Sequence, residues 1–172
     1  PAFVDPDPYD VEFAEARARF DLRRHGIRSS LEVVVAQQED AEIRTVKLSN
    51  ESQSVRRIEV FALTEVVLNH RNADLAHPAF SNLFITTEYD AGRGALLATR
   101  RPRADHEAGT TVVLGSVLGG GVLGEPMDGT DRRAVVGRGR TKRDPLALSR
   151  DGALASTVGA VLDPVLCLGH TV

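Results

Sequence analysis

Between Ala14 and Arg23 the chain alternates strictly: Ala14, Ala16, Ala18, Phe20 and Leu22 are apolar, while Glu15, Arg17, Arg19, Asp21 and Arg23 are charged. A period of two puts successive side chains on opposite faces of a strand, with one face dry and the other wet. Ala, Glu and Arg are also good helix formers, and Glu15 with Arg19 would make an i,i+4 pair, but the alternation favours a strand. His25-Gly26 supplies a turn, and Leu31, Val33 and Val35 resume the pattern before the polar run Gln37 to Asp40. A hairpin is therefore predicted.

Further signals of the same kind follow. Ile43 with Thr45, then Val46 with Leu48, predict a strand whose inward phase slips near Thr45, as a β-bulge would cause. Asn50 to Ser54 is the next turn. Val55 to Leu68 is apolar on both faces, as expected of a strand covered on each side, and is read as the core strand. Leu83 to Tyr89, Ala95 to Arg100, Thr110 to Val117, Ala134 to Gly137 and Ala153 to Val158 are further strand candidates, with Gly, Pro and Asp between them. Leu118 to Asp131 holds five glycines and a proline and is read as a loop, either mobile or reaching to a neighbour. Short strands with regular turn signals predict an all-β sandwich or barrel.

At 172 residues one domain spanning 1–172 is the economical expectation. Net charge −3 lacks the basic excess a nucleic-acid partner would require. No run approaches the roughly 20 apolar residues of a membrane-spanning helix. The single cysteine, Cys167, cannot form an internal disulfide, so the expected compartment is reducing, with the cytoplasm as default. The chain opens on Pro-Ala-Phe-Val without an initiator Met or a signal sequence, and it reads as a piece of a larger protein.

The residues that carry chemistry elsewhere are sparse. His25, His70, His77, His106 and His170 show no metal-ligand spacing, so neither metal nor cofactor is expected. Gly137-Arg-Gly-Arg-Thr141 lacks the Gly-Lys-Ser/Thr ending of a phosphate loop. Cys167 lies in an apolar run, where a buried, inert thiol is expected. Glu65 and Glu88 could flank a glycosidic bond, but edge or salt-bridged glutamates are the commoner outcome. Arginines gather at Arg100, Arg101 and Arg103, and again at Arg132, Arg133, Arg138, Arg140 and Arg143 with Lys142. Their guanidinium forks suit sugar hydroxyls, carboxylates and phosphates, although solvated or interface arginines are more common.

Taken in order, Asn50, Glu65-Val-Val-Leu68, His77-Pro-Ala-Phe80, Phe84-Ile-Thr-Thr-Glu88, Arg100-Arg-Pro-Arg103, Gly137-Arg-Gly-Arg-Thr141 and Asp163-Pro164 form a series. It resembles the β-supersandwich domain of glycoside hydrolase family 94, formerly glycosyltransferase family 36, the cellobiose phosphorylase-like family, and is similar to the phosphorylase-like region of cyclic β-1,2-glucan synthases. The resemblance runs from about Tyr9 to the C-terminus. It implies an antiparallel β-supersandwich of the galactose mutarotase-like type. It also implies a partner, the α/α-barrel catalytic domain of the same parent chain, which carries the general acid; the fragment itself would not be an enzyme. The sandwich would support that barrel, contribute to a homodimer and lend loops to a rim that meets β-glucan oligosaccharide. His77, Phe80, Glu88, Arg100, Arg101 and Arg103 are the matching positions and the candidate rim or interface residues. Two alternatives remain. One is an autonomous carbohydrate-binding module, disfavoured by 5% aromatic residues and no Trp, since ring stacking needs flat apolar faces. The other is a mutarotase-like epimerase, which needs a His paired with Glu65 or Glu88 in one cleft.

Overall fold

The structure, a computed structural model, describes residues 9–105, 107–149 and 154–172. They fall into two compact units, divided between Arg56 and Arg57.

The first unit is an antiparallel meander of four strands in sequence order, β1 (Tyr9–Ala14), β2 (Arg17–Arg24), β3 (Ile27–Val35) and β4 (Glu42–Asn50). The alternation expected to mark one strand over Ala14 to Arg23 is therefore interrupted. Glu15 and Ala16 form a tight turn, with Ala16 at φ 56°, and Ala14 pairs with Arg17. Such a turn inverts the phase: odd-numbered Tyr9, Val11 and Phe13 share a face with even-numbered Ala18, Phe20 and Leu22. The predicted hairpin at His25-Gly26 is present. Both residues have positive φ, 50° and 73°, the geometry of a type I′ turn whose twist matches its strands.

The bulge predicted near Thr45 is absent, because β3 and β4 pair without a slip from Ile27↔Asn50 to Val35↔Glu42. As an edge strand, β4 leaves Ile43 and Val46 largely exposed on opposite faces rather than shifting register to bury both. The predicted turn at Asn50 is present: Asn50 Oδ1 accepts from the Ser52 amide at 3.0 Å and the Ser52 hydroxyl at 2.6 Å.

The second unit packs two three-stranded antiparallel sheets. One is ordered β5 (Glu59–Glu65), β10 (Pro164–Thr171), β9 (Leu123–Asp131), and the other β6 (Ile85–Asp90), β7 (Ala95–Arg100), β8 (Thr110–Gly115). Between the sheets lie Ile85, Leu96 and Ala98 against Leu166 and Leu168. On the far side of β10, Val165 and Cys167 join Val135, Val136 and Ala147 in a second apolar cluster. A buried bond of 2.8 Å between the Thr87 and Thr130 hydroxyls ties β6 to β9. Each hydroxyl thus has a partner, without which burial would cost free energy.

Several expectations are corrected in this unit. The strand covered on both faces is β10, not Val55–Leu68: β5 begins only at Glu59 and lies at a sheet edge, and Val55 is fully solvated. Ala134–Gly137 is not a strand. Helix α3 (Arg132–Val135) takes its first two residues, started by Asp131, whose carboxylate accepts from the Arg133 amide at 2.9 Å. Residues 154–158 make no ladder, while Ala153 lies outside the described residues. The glycine-rich stretch is a loop only as far as Val122, after which β9 pairs with β10 along one edge. Gly129 belongs in that strand because a Cβ there would crowd Val135 and Leu154 at 3.2 and 3.3 Å. Short helices α1 (Arg71–Ala76) and α2 (Pro78–Asn82) precede β6. Among the described residues no helix is long and apolar enough to cross a membrane.

Candidate functional site

The candidate residues converge where α2 meets the ends of β6 and β7. His77 closes α1, its amide donating to the Ala73 carbonyl at 3.1 Å, and opens α2, its carbonyl accepting from Ser81 at 3.1 Å. Pro78 follows at the first helical turn, where a missing N–H costs nothing. This short helix carries Phe80 to Phe84, with ring centroids 5.3 Å apart at 76°, an edge-to-face pair.

Arg103 lies over both rings, its guanidinium carbon 5.2 Å from the Phe80 centroid and 5.1 Å from that of Phe84. Arg100, buried at the end of β7, approaches Phe84 at 5.9 Å. Both arginines are secured by Glu107. Its Oε2 accepts from the Arg103 amide at 2.8 Å and pairs with Arg100 Nη1 at 3.4 Å. The Arg103 amide and then the Arg100 charge hold the Glu107 carboxyl below its usual range, so it stays ionised. Exposed Arg103 over the two rings, with buried Arg100 and its carboxylate partner behind, makes a patch whose outer guanidinium plane can stack on a flat ligand face and donate to hydroxyls.

Of the six residues expected at a rim, the structure therefore unites Phe80, Arg100 and Arg103 and sets His77 at the head of the same helix. Arg101 contributes its backbone, the amide donating to the Phe84 carbonyl at 2.8 Å, and its side chain is exposed. Glu88 stands apart. It pairs with Leu97, three register steps from the Ile85–Arg100 pair, roughly 10 Å along the strand. Phe84 and Glu107 were not foreseen as site residues. For Phe84 the near-helical spacing from Phe80 was an available signal, whereas Glu107 follows a loop without any periodicity.

Glu65 has the other fate foreseen for it. Lys142 Nζ lies at 3.0 Å and Arg132 Nη2 at 3.3 Å, and together, Lys142 first, they lower its carboxyl from the ordinary range. A general acid in sugar chemistry needs the opposite shift, so Glu65 is an ion-pair residue. No set of three His, Cys, Asp or Glu among the described residues is arranged to hold a metal.

Compared with protein families, residues 1–172 match the supersandwich domain of glycosyl hydrolase 94 over their whole length. The chain belongs to that family. It is also 32% identical, over 162 residues and 94% of its length, to the cyclic beta-(1,2)-glucan synthase NdvB of Rhizobium meliloti (strain 1021). The aligned part is 6% of that relative, so the chain corresponds to one small portion of a much larger protein. Supersandwich membership agrees with the antiparallel sheets described above.

Proposed function

We propose that this supersandwich domain is a non-catalytic, carbohydrate-associated part of a β-glucan phosphorylase or cyclic β-1,2-glucan synthase. It supports an α/α-barrel catalytic domain in the same parent chain, contributes to a homodimer and presents the Phe80–Arg103 patch at the rim where β-glucan passes. The observation that carries the reading is Arg103 held over two phenylalanine rings, at a position drawn from the family's own ordered series. The ionised, paired state of Glu65 and the separation of Glu88 from the arginine cluster support a domain without its own acid and base. A lone cysteine, buried in β10, fits a cytoplasmic setting.

Calorimetric titration of the chain with β-1,2- and β-1,4-gluco-oligosaccharides tests this. A half-exposed patch without Trp should bind weakly, at about millimolar or above, and Arg103→Ala should abolish the heat. Micromolar binding indifferent to Arg103→Ala would overturn the rim assignment and identify an autonomous binding module instead.

A further inference from the structure

The polar face of the four-stranded sheet encloses a concavity of about 210 Å³. Register stacks its side chains in cross-strand rows over β2, β3 and β4: Arg19, Glu32 and Thr45, then Asp21, Ser30 and Lys47, then Arg23, Arg28 and Ser49. Both carboxylates lining the concavity are engaged by β2. Arg19 grips Asp21 through two hydrogen bonds of 2.7 and 3.2 Å. Arg17 approaches Glu32 at 3.8 Å. The third β2 arginine, Arg23, is taken up by Glu51 at 2.9 Å. Arg28 and Lys47 have no ion-pair partner within 4.0 Å among the described residues. They stand on neighbouring strands in adjacent rows, a diagonal of about 7–8 Å between backbone positions. Like charges so placed repel, and the Ser49 hydroxyl lies in the same corner, directly across from Arg28.

We propose that Arg28, Lys47 and Ser49 form a binding site for a small oxyanion, a phosphate or carboxylate group, free or carried on a larger ligand. Arg28 supplies a planar fork, Lys47 a mobile point charge and Ser49 a neutral donor, a combination that matches the several acceptor oxygens of such a group. Asp21 and Glu32 do not fill this role: Asp21 feels the Arg28 charge and the Ser30 hydroxyl, but its two oxygens are hydrogen-bonded by Arg19, and Glu32 has its near contact with Arg17. Since the sheet face is open to water, affinity should be about millimolar and should fall as salt screens the charges. The site lies in the first unit, away from the Phe80–Arg103 patch in sequence and unit, and stands independently of the proposed function.

Amide-resolved NMR titration of the 172-residue chain with inorganic phosphate, with acetate and with an uncharged β-1,2-gluco-oligosaccharide provides the test. Phosphate should produce saturable shifts centred on Arg28, Lys47 and Ser49. Arg28→Ala and Lys47→Ala should each weaken it roughly tenfold. Arg44→Ala should leave it unchanged, since Arg44 is on the opposite face and paired with Glu42. Equal shifts with acetate would extend the site to carboxylates, whereas phosphate alone would restrict it to tetrahedral anions; either supports the proposal. Unsaturated shifts scattered over all exposed cations would overturn it, as would equal affinity in all three variants or the same response to the uncharged sugar. Preserved amide dispersion in each variant separates lost binding from lost fold.

Discussion

Cys167 sits at the centre of β10 with 1% of its surface exposed, and burial alone pushes its thiol from the ordinary 9.0 up to about 11. The thiolate, not the thiol, is the nucleophile. Modification by a disulfide reagent at pH 8 is therefore expected to be slow in the native protein and fast in concentrated urea; equal rates would place the thiol at the surface. The same shift has a consequence for stability. Unfolded chains release the proton from about pH 9 and folded chains only near 11, so the unfolded state binds fewer protons in that window and stability falls as pH rises through it. An inert, buried thiol was legible from the apolar run Val165 to Leu168. At the next position in sequence terms, Gly169 admits the Phe61 ring where a Cβ would clash, and nothing local to Gly169 announces that neighbour.

Among the elements, α3 and β5 are joined by charge. Glu65 at the end of β5 meets Arg132 at the start of α3 and Lys142 beyond it. Because the Glu65 side chain is 42% exposed, water screens much of the interaction, and surface pairs of this kind contribute roughly 0.2–1 kcal/mol. Glu65→Gln should therefore cost less than about 1 kcal/mol in urea unfolding at pH 7. The lowered carboxyl makes the contribution present above the ordinary 4.5 and lost as pH falls through the folded value. At a pH below the folded value the variant and the parent should consequently converge; a difference persisting there would mean that the glutamate acts through packing. The elements also show where pattern reading fails. The Ala14–Arg23 alternation runs in sequence across a turn that inverts facing, so Ala14 shares a face with Arg17 rather than with Ala18, and only the earlier odd-numbered set Tyr9, Val11 and Phe13 betrays the change of strand. Ala134–Gly137 resembles a strand because Val135 and Val136 are both apolar, yet the Asp131 cap and burial on two sides suit a single helical turn equally well.

For the molecule as a whole, 24 acidic against 21 basic residues leave a net charge of −3, with neutrality at about pH 6.0. Net charge opposes self-association, so solubility in a polyethylene glycol precipitation series should be lowest near pH 6 and rise by pH 8. A minimum elsewhere would indicate that apolar patches rather than net charge govern association. Alternation, turn residues and the ordered family segments are properties of near neighbours. By itself the sequence therefore determined an antiparallel all-β chain, its hairpin at His25-Gly26, most of its strands and its place in the supersandwich family. Which strand lies at the centre was decided by pairing over long separations, as where β10 inserts between β5 and β9. The same holds for the site. Arg100 and Arg103 were visible as a cluster, but their meeting with Phe80, Phe84 and Glu107, and the exclusion of Glu88, arise only when α2 folds against the ends of β6 and β7. Local pattern sets which face a side chain takes, whereas packing of distant segments sets what that face meets.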